Sequence, residues 1–187
     1  MIARRLSGVI LAAVVLAAMP LAGCGGPNPG AGPFENHDSP NGFCAQLYSR
    51  NRGVFTAGGQ WTFRAAGPGV IDKVSLSHPR GLRVLAAYAV LDTGTDLYGN
   101  YDGIPPSPRF LPPGVQWSRR QQAGGARITP TRSGNQWNMV VVIKLVTRIG
   151  TTDGLDVSYH ASGGSYHLHM IDTLELTDPA SKVCFSS

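Results

Sequence analysis

The chain has 187 residues, enough for one ordinary domain with additional segments, and only 14% of them are charged. Its formal charge of +5 includes Arg4 and Arg5 near the N-terminus, and losing those two with a leader reduces the excess to +3. That is too little for a protein that tracks phosphates with clustered Lys and Arg, so nucleic acid is not an expected partner. The 24 Gly and 14 Pro residues favour short strands joined by turns over long helices.

Residues 1–8 carry Arg4 and Arg5, Val9 to Leu21 is apolar, and small residues come next, which is the order of a secretory leader. The apolar run is shorter than the roughly 20 residues needed to span a bilayer and ends in Gly-Cys-Gly-Gly-Pro, which argues against a retained membrane helix. The residues after the arginine pair match the twin-arginine signal poorly. Leu21-Ala22-Gly23-Cys24 resembles the lipobox of bacterial lipoproteins at all four positions. In that family the cysteine thiol receives a diacylglyceryl group and becomes the N-terminus after cleavage. The resemblance implies that residues 1–23 are a removed signal peptide and that acylated Cys24 is the lipidation site. The membrane is then a partner, at the outer face of a bacterial cytoplasmic membrane, because two acyl chains at about 0.8 kcal/mol per buried methylene hold firmly. The alternative is a plain export signal with an incidental cysteine. With Cys24 acylated, Cys44 and Cys184 remain as an even pair in an oxidising compartment, and a disulfide between them is expected.

Residues 24–42 are rich in Gly, Pro and Asn with no apolar period, and read as a flexible tether with a root-mean-square span of roughly 20–25 Å. The domain then covers 43–187. Short runs of Val, Ile, Tyr, Trp and Leu between turn clusters predict strands near 60–65, 70–77, 82–91, 115–119, 126–132, 136–148, 155–161 and 165–176. That spacing is expected of an all-β sandwich or barrel. Residues 74–85 alternate, turn at Pro79-Arg80-Gly81 and resume, which reads as two strands with a tight connection. Residues 139–146 are almost continuously apolar, as in a central strand covered on both faces. Its expected partner is 126–132 through the turn Ser133-Gly134-Asn135, with Pro130 pushing that partner toward an edge or bulge.

Between Asp92 and Val115 lies one long irregular stretch, and loops of that length are functional or loosely ordered. Asp92, Asp96, Asn100 and Asp102 fail the EF-hand pattern, which needs glycine at the sixth position and glutamate at the twelfth. Tyr98, Tyr101 and Phe110, interleaved with prolines, offer a partner surface together with Arg119 and Arg120. The alternative is that the aromatics pack the loop down over the domain.

Nucleophile elbows, zinc-protease helices, phosphate loops and dinucleotide fingerprints are all absent from the sequence. Ser165 stands near His160 and His167 but lacks the strand-to-helix turn that exposes a catalytic serine. Gly163-Gly164 signals a hairpin, and with Ser162 and Ser165 flanking it His160 faces His167 while Ser158 faces His169. Strand alternation puts Asp156, Ser158, His160, His167 and His169 on one side, and Leu155, Val157, Tyr159, Tyr166, Leu168 and Met170 on the core side. His160, His167 and His169 are thus a candidate site for Zn²⁺ or Cu²⁺. The alternative is a solvated polar face, and no other cofactor is expected.

The pair of runs around 74–85, the proline-rich middle and the hairpin 154–168 resemble small exported actinobacterial β-sandwich proteins of unassigned role. The resemblance implies an all-β, immunoglobulin-like antiparallel β-sandwich of about seven to nine strands and carries over no site residues. Together these readings describe a non-enzymatic binding or assembly module of the cell envelope, with an envelope protein or polysaccharide as partner. Metal binding through the histidine-lined face is the alternative, and an envelope hydrolase using scattered carboxylates a third.

Overall fold

The computed structural model describes residues 32–36, 41–47, 53–93, 101–103 and 117–181. Over these the chain is all-β: β1 Phe34–Glu35, β2 Asn41–Gln46, β3 Val54–Ala57, β4 Thr62–Ala65, β5 Gly69–Ser77, β6 Leu82–Asp92 and β7 Tyr101–Asp102 come first. A 3-10 turn at Trp117–Arg119 precedes β8 Gln121–Gln122, β9 Arg127–Ile128, β10 Gln136–Leu145, β11 Ile149–Thr152, β12 Gly154–Ala161, β13 Gly164–Met170 and β14 Asp172–Thr177.

β10 is the centre of a seven-stranded antiparallel sheet. β6 pairs with it along one side from Gln136↔Asp92 to Leu145↔Leu82, while β4 and then β3 share the other side. Trp137, Met139, Val141, Ile143 and Leu145 enter the main core, and the reverse face is also closed, with Val140 and Val90 buried against Tyr88 and Trp117. Burial on both faces is the physical reason for the continuous apolar run, and the expectation of a central strand holds. The other sheets are β13-β12-β5-β9, all antiparallel, and β11-β14-β2, in which β14 and β2 run parallel. Ile71, Leu155, Val157 and Tyr159 from the first and Leu174 and Leu176 from the second join the side chains of β10 in one core.

Several expectations are corrected. The segment read as a tether contains β1, and Phe34 is only 4% exposed. Its ring stacks on Tyr159 at 4.0 Å and lies 5.1 Å from Phe63, so one aromatic anchor and backbone pairing with β4 outweigh the Gly/Pro-rich surroundings. Of 115–119, residues Trp117–Arg119 form a 3-10 turn and not a strand. Of 126–132 only Arg127–Ile128 pair, and they pair with β5, not with the next strand, β10. Pro130 offers no donor, and the Thr131 N–H goes to Ala65 O at 2.9 Å, which directs the segment to β4 instead. The run 165–176 breaks at Ile171 into β13 and β14, which belong to different sheets.

The two strands read in 74–85 are present as β5 and β6, but they too lie in different sheets. Positive φ at His78 (47°) and Gly81 (62°) turns the connection. A Cβ on Gly81 would meet the Ile149 carbonyl at 2.8 Å, so this turn needs glycine for space as well as for φ. Within the long stretch after Asp92, β7 pairs with β3; residues 94–100 and 104–116 lie outside the described residues.

Candidate functional site

The outer face of β5, β12 and β13 assembles the polar residues that alternation assigned to it. Leu155, Val157, Tyr159 and Met170 are buried beneath, Tyr166 and Leu168 pack against them, and His160, His167 and His169 are exposed above. The register differs from expectation. Asp156 faces His169, Ser158 faces His167 and His160 faces Ser165, because the two central turn residues are Ser162-Gly163 and positive φ falls at Gly163 (111°) and Gly164 (143°). The partner moves by two residues, so each side chain keeps its face while the His160–His167 opposition is lost.

One carboxylate organises two of the three rings. Asp156 Oδ1 lies 2.7 Å from His169 Nδ1 and 3.2 Å from His167 Nε2. An ionised carboxylate only accepts, so each ring presents its N–H to the same oxygen. His160 belongs to another pair, with its Nδ1 2.7 Å from Asp72 Oδ1. The pairing of β12 with β5 shifts between Ser158↔Lys73 and Tyr159↔Ile71, leaving Asp72 as the extra residue of a β-bulge. That bulge exposes Asp72 and Lys73 in succession and brings the Asp72 carboxylate to His160.

The three histidines are therefore divided between two carboxylates. Among the described residues no group of three His, Cys, Asp or Glu side chains is placed to hold a metal ion. The rings hydrogen-bond to carboxylates and not to hydroxyls, so no serine nucleophile is activated on this face. Ser77, His78 and Asp153 have the composition of a hydrolase triad, but Ser77 Oγ (3.4 Å) and Asp153 Oδ2 (3.3 Å) meet the same nitrogen, Nδ1. A relay needs the nucleophile on one ring nitrogen and the carboxylate on the other.

Tyr159 links this sheet to β1. Its hydroxyl accepts from the Phe34 N–H at 3.3 Å, and its ring lies between Phe34 and Tyr166, whose centroid is 5.4 Å away. Burial raises its pKa above the usual phenol value, against the lowering effect of the Phe34 N–H.

A second cluster lies on the seven-stranded sheet. The 3-10 turn ends with the Arg120 N–H donating to Trp117 O at 3.1 Å, and one guanidinium nitrogen donates to the same oxygen at 3.2 Å. This folds the Arg120 guanidinium over the Trp117 ring, 4.6 Å from its centroid, and 5.7 Å from that of Tyr88. The two rings meet edge to face at 5.5 Å. Tyr88 and Trp117 are half-buried over Val90 and Val140, while Arg119 and Arg120 are exposed. β8 holds the turn there by pairing with Tyr88 and Ala89. Next to it the Gln121 side-chain amide makes reciprocal bonds with the Arg127 backbone at 2.8 and 3.0 Å, splinting the turn that crosses to β9.

Of the residues expected to face a partner, Arg120 is thus ordered and Arg119 is exposed beside it, while Tyr101 sits on β7. Tyr98 and Phe110 lie outside the described residues, as do Cys24 and Cys184; Cys44 lies on β2 opposite Glu175 of β14. Trp117 and Tyr88 were missed as site residues. The signal was present in Trp117-Ser-Arg-Arg120, where an aromatic stands three residues before an arginine, the spacing at which one turn stacks them. No family model matches the chain, and no curated protein matches it.

Proposed function

We propose that the chain is a lipid-anchored envelope domain of immunoglobulin-like sandwich type that binds a partner without catalysis. The observation that carries this reading is the guanidinium of Arg120, held over Trp117 and Tyr88 on the surface of the domain. Arginine, tryptophan and tyrosine are the residues that dominate binding energy at protein interfaces. A stacked guanidinium has little rotamer freedom left to lose on binding and keeps a planar edge of donors for a carboxylate or phosphate. The partner is accordingly one that presents such anionic groups, with Arg119 adding a second charge.

Supporting the location are the leader, the match of Leu21 to Cys24 with a lipobox, and a cysteine count that leaves Cys44 and Cys184 to pair. Cross-linking in native membranes tests the binding site. A partner captured by the wild type should be lost with Arg120→Ala and with Trp117→Phe, and kept with Arg83→Ala at a distant exposed position. Equal capture by all four chains overturns the assignment of the surface.

A further inference from the structure

We propose that the end of the domain formed by the turns at 66–68, 129–135 and 162–163 rests on the anionic surface of the bilayer, with Arg127 and Arg132 as its headgroup contacts. The proposal rests on the lipidated-Cys24 reading and adds an orientation to it.

The described chain enters the fold at that end. The Ala66 N–H donates to Pro33 O at 2.8 Å, and Phe34 pairs with Ala65. A Cβ on Gly67 would lie 3.3 Å from Pro33, and one on Gly69 would lie 2.7 Å from the Phe34 ring. Gly32 is packed so closely on the Tyr159 hydroxyl and the Tyr166 ring that it has no room for a side chain. The register then brings the turns together. Gly69 pairs with Ala161 on one side and Ile128 on the other, Ala161 pairs with Gly164 across the 162–163 turn, and Thr131 bonds to Ala65.

Chain length decides which end touches lipid. Cys24 and Gly32 are eight residues apart, which spans at most about 26–29 Å fully extended and about 14–17 Å as a flexible chain. A domain of about 150 residues has a radius of gyration near 15 Å, hence a diameter of about 40 Å. The opposite end, with His78, Arg80 and Arg148, is therefore out of reach of a bilayer anchored through Cys24.

Charge suits the same end. Its exposed ionisable groups are Glu35, Arg64, Asp72, Lys73, Arg127, Arg132 and His160. Glu35 is in register with Arg64, and Asp72 adjoins Lys73, leaving Arg127 and Arg132 as the basic excess. Half-buried Tyr166, beside Gly32, is the residue type that settles at a lipid–water interface.

Hydrogen–deuterium exchange on the full, anchored chain in vesicles tests this, comparing phosphatidylcholine alone with phosphatidylcholine plus phosphatidylglycerol. Backbone amides of 129–135 and 162–164 should exchange several-fold more slowly in the anionic vesicles, while 78–81 and 146–148 do not change. Arg127→Gln with Arg132→Gln should abolish that difference and leave the chain on the vesicles. A chain that carries the acyl group at Cys24 and floats with the vesicles, yet shows no protection or protection at 78–81, overturns the orientation alone. An unmodified Cys24 peptide with no flotation overturns the anchor and the orientation together.

Discussion

The sheet β13-β12-β5-β9 keeps one face in water, whereas β10, at the centre of the seven-stranded sheet, keeps neither. On β12, buried Leu155, Val157 and Tyr159 alternate with Asp156, Ser158 and His160, which reach solvent. On β10, Met139, Val140, Val141, Val142 and Ile143 are all buried. The first sheet displays its histidines on an open surface, where each meets a carboxylate. The second has a reverse face dry enough to seat Tyr88 and Trp117, and packing sets the geometry of the Arg120 guanidinium held over them. An open polar face is cheap to change; a closed one is not.

Phe34 joins the two sheets, through β4 on one side and Tyr159 on the other, and its removal should have the largest effect. Phe34→Ala should cost about 3–5 kcal/mol of stability, read from urea or thermal unfolding. A loss below about 1 kcal/mol would mean that the fold does not depend on residues 32–36, and that the sheets hold together without them.

The contrast between the sheets is tested directly by exchanging polarity on their outer faces. Val140→Thr buries a hydroxyl at constant shape and should cost about 1–3 kcal/mol. Ser158→Val on β12 should stay within about 0.5 kcal/mol. Equal effects would remove the distinction.

The same contrast explains how much of the fold and the site was legible in the sequence. On β12 and β13 the period-two alternation names the faces, so the core side and the histidine side could be read from residues 155–170. Their register could not, because it depends on whether Gly163 sits second or first in the turn, and either choice leaves every face the same. On β10 a continuous apolar run marks a central strand but not its neighbours, which come from β3, β4 and β6, far away in sequence. The pairs β5/β6 and β13/β14 are adjacent in sequence, yet each divides between two sheets, an outcome that only tertiary packing decides. Phe34 was hidden because composition averages over a window, and one ring with good partners is enough to recruit a Gly/Pro-rich segment. The site over Trp117 was hidden because the short apolar run there imitates a strand.

Tyr159 lies under the wet sheet and responds to pH on the alkaline side. Burial raises its folded pKa above the unfolded value of about 10, so the stability it contributes is complete below that pH and is lost as pH rises through the folded pKa. Wild-type unfolding midpoints should fall above pH 10 more steeply than those of Tyr159→Phe. Parallel curves would show that the phenol is no more buried in the folded chain than in the unfolded one.

On the open face the effects should be smaller. Asp156→Asn should cost less than about 1 kcal/mol, since both of its histidines are partly exposed and solvent screens the pairs. The informative readout is local. The imidazole NMR signals of His167 and His169 should both move, while those of His160, on Asp72, and His78, at the far end, stay in place. Movement of His160 as well would mean that the three rings share one network.

The smallest effect belongs to a partly exposed carboxylate just past the end of β14. Asp178 accepts from the Ser181 hydroxyl at 2.6 Å, from the Ser181 N–H at 2.8 Å and from Arg148 Nε at 3.4 Å. These bonds favour the ionised form, the Ser181 hydroxyl most, and hold the carboxyl below its ordinary value of 3.8. A lowered folded pKa stabilises above the unfolded pKa, and the gain disappears as pH falls through the folded one. Ser181→Ala should therefore lower the urea midpoint slightly at pH 7, and the gap from wild type should close as pH falls through the folded pKa. Salt should reduce the Arg148 share by screening, and it should leave the hydroxyl share because a direct hydrogen bond is not a long-range charge effect. A gap that persists unchanged into acid would mean that Ser181 acts by packing or turn geometry, and that even on the wet surface of this domain the carboxylate is a bystander.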